Sequence, residues 1–225
     1  MHRGNQFQTS VGRKVVVALT GLSLVGFVVI HMLGNLQVFE GAEALNSYAA
    51  LLRDMPILLW TARVGLLSMV ALHIGLAIQL ALRNRRARPV AYAVKDYRKA
   101  SLASRTMAAT GSVLLLFIVF HLLHLTAGVV DTSFSDRLDV QGHRDVYGKV
   151  VHAFRNPLFV GLYLAGQLAL GLHLSHAVSS SLQTLGLEHA ALNRLFKAAG
   201  PAVALLVVLG NTVIILAVFL EVVRA

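Results

Sequence analysis

An all-α membrane bundle of five transmembrane helices follows from three features of this 225-residue sequence. It has five long runs free of Lys, Arg, Asp and Glu, 56% hydrophobic residues against 13% charged, and a mean hydropathy of +0.70. So apolar a chain does not offer a water-compatible surface, and each run reaches the roughly 20 residues a helix needs to cross a hydrocarbon core. Residues 1–225 read as a single membrane domain.

The runs justify themselves in order. Val15–Phe39 is too long for a secretory leader and has no small-residue cleavage site after it. Val64–Leu82 is the shortest span and ends on arginines. Met107–Val130 holds two histidines within its apolar stretch. Asn156–Leu187, at 32 residues, exceeds what a bilayer requires, which predicts that Ser179–Ser181 and Thr184–Gly186 emerge on one side. Ala198–Leu220 is the most uniform run and contains no histidine. Neither an internal repeat nor a low-complexity tract is expected.

The net charge of +10 would point to nucleic acid in a soluble protein, but its position along the chain excludes that reading. Arg3, Arg13 and Lys14 precede the first span, and the segment Arg83–Arg105 carries eight basic residues against the single acid Asp96. The segments Glu40–Arg63 and Asp131–Arg155 instead hold seven acids against six basic residues. Excess Lys and Arg stays in the cytoplasm, so the amino terminus is expected inside and the carboxyl terminus outside. The cluster Arg83, Arg85, Arg86 and Arg88 lacks interleaved aromatics, and suits anionic lipid headgroups or a cytoplasmic partner protein.

Cysteine is absent, which removes disulfides, thiolate metal sites, iron–sulfur ligation and covalent haem attachment through the chain. Histidine is what remains. His31, His73, His121 with His124, and His173 with His176 lie within four of the five spans. An ionisable group at membrane depth is costly and marks function by default, although any one of them serves equally as a neutral interhelical hydrogen-bonding residue. Neutral imidazole binds metal without carrying charge, and no carboxylate lies in these spans to complete a zinc site. Haem fits better: its macrocycle packs between apolar helices, and two histidines from different helices fill both axial positions. Four helices then hold two haems.

Depth orders the pairs. At about 1.5 Å of rise per residue, His31 and His121 both lie roughly 9–15 Å from the outer face, forming an outer pair. His173, about 24 Å in from Pro157, and His73, about 15 Å from Arg83, form an inner pair. His124 and His176 each follow a neighbour by three residues on nearly the same helix face, so either member of each couple is open as the ligand.

Several phrases resemble a known family. Val28-Val29-Ile30-His31-Met32-Leu33-Gly34-Asn35, Gly41-Ala42-Glu43-Ala44-Leu45-Asn46-Ser47, Phe120-His121-Leu122-Leu123-His124 and Gly171-Leu172-His173-Leu174-Ser175-His176 with Gln183–Gly186 are similar to the cytochrome b558 subunit of succinate dehydrogenase and fumarate reductase. Ser10–Lys14 and Leu19-Thr20-Gly21 fit the same group, and the resemblance covers all five spans. It implies two haem b groups, with His31 and His121 on the distal haem and His73 and His173 on the proximal one. His124 and His176 remain as neighbouring or alternative ligands.

The resemblance further implies a flavoprotein subunit and an iron–sulfur subunit on the cytoplasmic face of the inner membrane, and a quinone, commonly menaquinone, as electron partner. The chain would be an enzyme subunit that passes electrons, with the dicarboxylate chemistry on its partners. Haem propionates would emerge near Arg13, Lys14 or Arg85 inside and Arg53 or Arg63 outside. Quinone chemistry needs proton donors, for which Asn35, Asn46, Asp54 and His124 are candidates. Two other classes compete: a transmembrane haem b reductase that acts without soluble partners, and a proton-coupled transporter with a histidine relay, although repeats and broken helices typical of transporters are not expected here.

Overall fold

The computed structural model describes residues 9–87, 101–134, 136–187 and 193–224. Arg3, Arg88 and most of the basic segment after it lie outside the described residues. Seven α-helices follow one another: α1 (Ser10–Asn35), α2 (Ala42–Arg53), α3 (Pro56–Arg86), α4 (Leu102–His121), α5 (Val146–Arg155), α6 (Pro157–Thr184) and α7 (Asn193–Phe219). Five of them, α1, α3, α4, α6 and α7, are long and apolar enough to cross a membrane, as expected for a multi-pass membrane protein.

The helix starts are chemically marked. Thr9 accepts the N–H of Gly12 at the head of α1, and Ser101 accepts that of Ser104 at the head of α4, each satisfying an otherwise unpaired donor. Asn156 caps α6 through the N–H of Leu158, with Pro157 in the first helical turn where its missing N–H costs nothing. Pro56 plays the same part in α3.

The boundaries differ from the hydropathy runs where polar residues continue a helix. α3 spans Pro56–Arg86, so Arg63 and Arg83 lie inside it, because an arginine near a helix end extends its head group to the interface. Ser179–Ser181 remain within α6, which runs to Thr184. The Ser179 hydroxyl donates to the carbonyl of Phe196 on α7. The third span leaves regular geometry after His121, passing through a π-helical turn, Leu122–Thr126, and Ala127–Val130 are not helical.

Two short amphipathic helices, α2 and α5, occupy the segments read above as outer loops, and they cover one end of the bundle. After α1 a 3-10 turn, Leu36–Glu40, leads to Gly41, whose φ of 101° is open to glycine and strained for other residues. α2 then folds back over α5. A core of Val38, Leu45, Tyr147, Val151, Phe154, Val160, Tyr163, Ile214, Ile215 and Val218 joins these caps to α6 and α7. A second core, Met32, Leu174, Ala204 and Val207, joins α1, α6 and α7.

α6 is the hub: it packs on α7, α4 and α1. α7 approaches α6 closely at Gly200, which lies against the Ser175 carbonyl, and α1 at Gly210, which lies against the Met32 side chain. Small residues at such crossings let backbones meet where lipid supplies no hydrophobic drive for helix association. α3, in contrast, has no buried residue and packs mainly on α1. Among the described residues neither α1 with α4 nor α3 with α6 forms an extensive packed interface.

Candidate functional site

The histidines stand on those unpacked pairs. His31 of α1 and His121 of α4 face each other with ring centroids 5.9 Å apart and planes at 85°. Phe27, one turn before His31, stacks on it at 5.5 Å, and Phe117, one turn before His121, stacks on that ring at 6.1 Å. Two metal–imidazole bonds of about 2 Å each, with the half-widths of both rings, span roughly 6 Å. The His31–His121 separation would suit two imidazoles that share one metal.

His73 of α3 and His173 of α6 lie within electrostatic range of one another, and each has its inner ring nitrogen tied down. His73 Nδ1 is 3.2 Å from the Val17 carbonyl and 3.2 Å from Thr20 Oγ1. A carbonyl only accepts, so Nδ1 carries the proton and Nε2 keeps its lone pair. His173 Nδ1 is 3.2 Å from Thr110 Oγ1. The Thr110 hydroxyl also lies 3.0 Å from the Thr106 carbonyl; when it donates there it accepts from His173, whose Nε2 is then left as a lone pair. Beside each imidazole sits a glycine: a methyl at Gly21 would crowd His73, while one at Gly111 would make ordinary contact with His173.

Among the described residues no group of three or more His, Asp or Glu side chains is placed to hold a metal ion. Two opposed imidazoles suit a group that brings most of its own ligands. A porphyrin does, supplying four nitrogens and leaving two axial positions. The donor set is compatible with such a group: four imidazole side chains, two of them with Nδ1 hydrogen-bonded to a carbonyl or hydroxyl.

His124 is placed differently from His121. It is buried at 1% exposure, on the π-helical turn, and its Nδ1 is 3.1 Å from the Tyr163 hydroxyl, which also lies 3.3 Å from His121 Nδ1. One hydroxyl cannot donate to both, so at least one of the two imidazoles donates its Nδ1–H to Tyr163. Beyond His124, an enclosed space of about 10 Å³ is lined by Asp131, Phe134, Lys149, His152 and Ala153, close to the smallest that holds one water. Asp131 meets His152 at 3.0 Å. Hydrogen bonds from the Ser133 N–H and hydroxyl, with the nearby His152, hold the Asp131 carboxyl below its ordinary range. Burial lowers Lys149, with Arg144 adding repulsion. His176 lies one turn beyond His173, half-buried and in electrostatic contact with it.

The polar candidates divide. Asn46 is 1% exposed, and its amide is committed at both ends: Nδ2 donates to Asp145 and Oδ1 accepts the Tyr147 N–H, tying α2 to α5. Asp54 caps the end of α2 and is exposed, while Asn35 is the last residue of α1 and half-buried. At the opposite end, Arg13 donates to Gln79 at 2.9 Å and shares a cleft with Arg83 and Arg86, while Lys14 and Arg85 are exposed. Arg53 and Arg63 are exposed near the α2 cap, Arg63 resting 5.1 Å from the Trp60 ring centre.

Sequence reading by charge and histidine passes over Thr20, Thr110 and Tyr163, since threonine and tyrosine are unremarkable in apolar helices. A readable signal exists nonetheless. Thr20-Gly21 is followed by Phe27 and His31, and Thr110-Gly111 by Phe117 and His121, at identical spacing. The two phrases stand 90 residues apart and share too few positions to register as overall similarity. No protein-family model matches the chain, and neither curated proteins nor solved structures gave a significant match.

Proposed function

We propose that this chain is the di-haem cytochrome b anchor of a succinate:quinone oxidoreductase, passing electrons between cytoplasmic iron–sulfur and flavin subunits and a membrane quinone such as menaquinone. The observation that carries the reading is that His31 faces His121 ring to ring, while His73 and His173 lie within electrostatic range of one another, each with its Nδ1 hydrogen-bonded. The resemblance of the flanking phrases to the cytochrome b558 family supplies the partners and the reaction. When bound, the haems supply one-electron chemistry.

The chain's contribution is ligation, spacing and tuning. Eleven residues separate the level of Thr20 from His31 on α1, so the two sites are staggered by about 16 Å along the membrane normal. The His73–His173 pair lies toward the basic end, which the positive-inside bias places in the cytoplasm beside the soluble subunits. The His31–His121 pair lies toward the α2–α5 cap and the outer face. With His121 ligating through Nε2, its Nδ1–H donates to Tyr163, which in turn donates to His124, so the histidine three residues on acts as a support for the ligand. Arg13, Arg83 and Arg86 are placed to meet propionates or a partner at the basic end.

Purification from its native membrane tests the reading. A dithionite-reduced b-type band with two haems per chain, together with a co-purifying flavin subunit, is expected. Absence of the band overturns the haem assignment. A band without a flavin partner points to a reductase that functions alone, and His31→Ala and His73→Ala should each remove one of two haems.

A further inference from the structure

The chain builds one imidazole-holding device twice. In the first copy Thr20 Oγ1 donates to the Val16 carbonyl at 2.8 Å and meets His73 Nδ1 at 3.2 Å, while Gly21 lies under the His73 ring. In the second, Thr110 Oγ1 donates to Thr106 at 3.0 Å and meets His173 Nδ1 at 3.2 Å, while Gly111 lies under the His173 ring. Each threonine is buried, at 9% and 7% exposure. Each stands eleven residues before a histidine of the other pair, His31 or His121, with a stacking phenylalanine one turn before that histidine. So α1 with α3, and α4 with α6, form two like units, each supplying one imidazole to each site.

Resting on the proposed function, we propose that Thr20 and Thr110 are the positioning residues of the His73–His173 site. By spending its own proton on a carbonyl one turn back, each hydroxyl is left able only to accept. It thereby fixes the imidazole as the Nδ1–H form, aims Nε2 across the gap, and raises the basicity of the ligand, as an outer-shell acceptor does for a metal-bound histidine. A more basic axial pair favours the ferric state and lowers the potential of that site.

The two copies are not equal. His73 has a second acceptor, the Val17 carbonyl at 3.2 Å, whereas Thr110 is the acceptor that His173 Nδ1 meets. Removing the Thr110 hydroxyl therefore orphans a buried N–H, while removing that of Thr20 leaves a fallback. Threonine and valine have nearly the same shape, so the substitutions separate the hydroxyl from its bulk.

The test uses the whole chain, purified with its partners, as wild type, Thr110→Val, Thr110→Ser and Thr20→Val. Retention is read by haem transfer to excess apomyoglobin, and the midpoint potentials by optical titration. The haem of this site is the one lost in His173→Ala. Thr110→Val is expected to weaken retention at this site about 10- to 100-fold and raise its potential, leaving the His31–His121 haem unchanged. Thr110→Ser should restore both properties, and Thr20→Val should move them less than Thr110→Val. Unchanged retention and potential in Thr110→Val, or a Thr110→Ser protein that behaves like Thr110→Val, overturns the positioning role. A wild-type chain that carries no haem overturns the proposed function itself and this inference with it.

Discussion

α3 and α6 carry the two histidines of one pair, yet they are opposite kinds of helix. α6 is the hub of the bundle, with Val160, Tyr163, Gly166, Gln167, Ala169, Leu174 and Val178 buried along its length. α3 is longer and has no buried residue. Both are apolar because both face hydrocarbon or protein, but only α6 is specified by packing. An apolar, membrane-long sequence thus conceals unequal structural weight, and His73 owes its position to Thr20 and Val17 of α1 more than to any core around α3.

Matched leucines give the largest expected contrast. Leu174 of α6 is 4% exposed and belongs to the core shared with Met32 and Val207, whereas Leu67 of α3 is 69% exposed. Leu174→Ala should cost about 2–5 kcal/mol by the cavity it leaves, and Leu67→Ala should stay within about 0.5 kcal/mol. Unfolding in detergent checks both. A Leu67→Ala loss as large as that of Leu174→Ala would show that α3 is packed against something the isolated chain does not contain.

Glycines sharpen the same contrast at smaller amplitude. A methyl at Gly200 meets the Ser175 carbonyl, a backbone atom that cannot turn aside, so Gly200→Ala should push α7 from α6 and cost about 1–3 kcal/mol. A methyl at Gly75 of α3 meets nothing within 4 Å, so Gly75→Ala should gain up to about 1 kcal/mol from helix propensity. Opposite signs in the two thermal shifts are the expected outcome, and like signs would remove the distinction.

What the sequence made legible follows from which signals are additive. Long apolar runs sum over 20 residues, so all five spanning helices are visible, and so is the histidine on each of the four that bear one. The short helices were hidden because their segments were read for charge sign. Yet Tyr147, Val150, Val151 and Phe154 recur at helical spacing, and Asp145 caps the turn by accepting the Gly148 N–H. The π-helical turn at Leu122–Thr126 has no local sequence mark. It places His124 beside Phe159 and Tyr163, residues of another helix, and so depends on tertiary contact. Asn46 is similar: a polar residue in an outer segment suggests ligand chemistry, while its actual partners are 99 and 101 residues away in the chain.

The smallest effect is expected where the covered end of α6 meets solvent. Asp131 binds His152 of α5 and receives the Ser133 N–H, which holds its carboxyl below the ordinary value of 3.8. A carboxylate with a depressed folded-state pKa adds stability that is fully present above its unfolded value and disappears as pH falls through the folded one. The α5 cap should therefore hold steady from neutral pH down to about 4 and loosen below it. Because the pair is only partly buried, solvent screening keeps the effect small. Hydrogen exchange of the α5 amides, followed between neutral pH and 3 and corrected for intrinsic rates, should rise in the wild type below that point. Asp131→Asn, which cannot titrate, should show the faster exchange at neutral pH and no further loss on acidification. α3 has no comparable acid-linked clasp among its described residues, so its amides should keep the same protection through this range. If α3 and α5 loosened together, acid would be acting on the bundle as a whole and Asp131 would not be the group responsible.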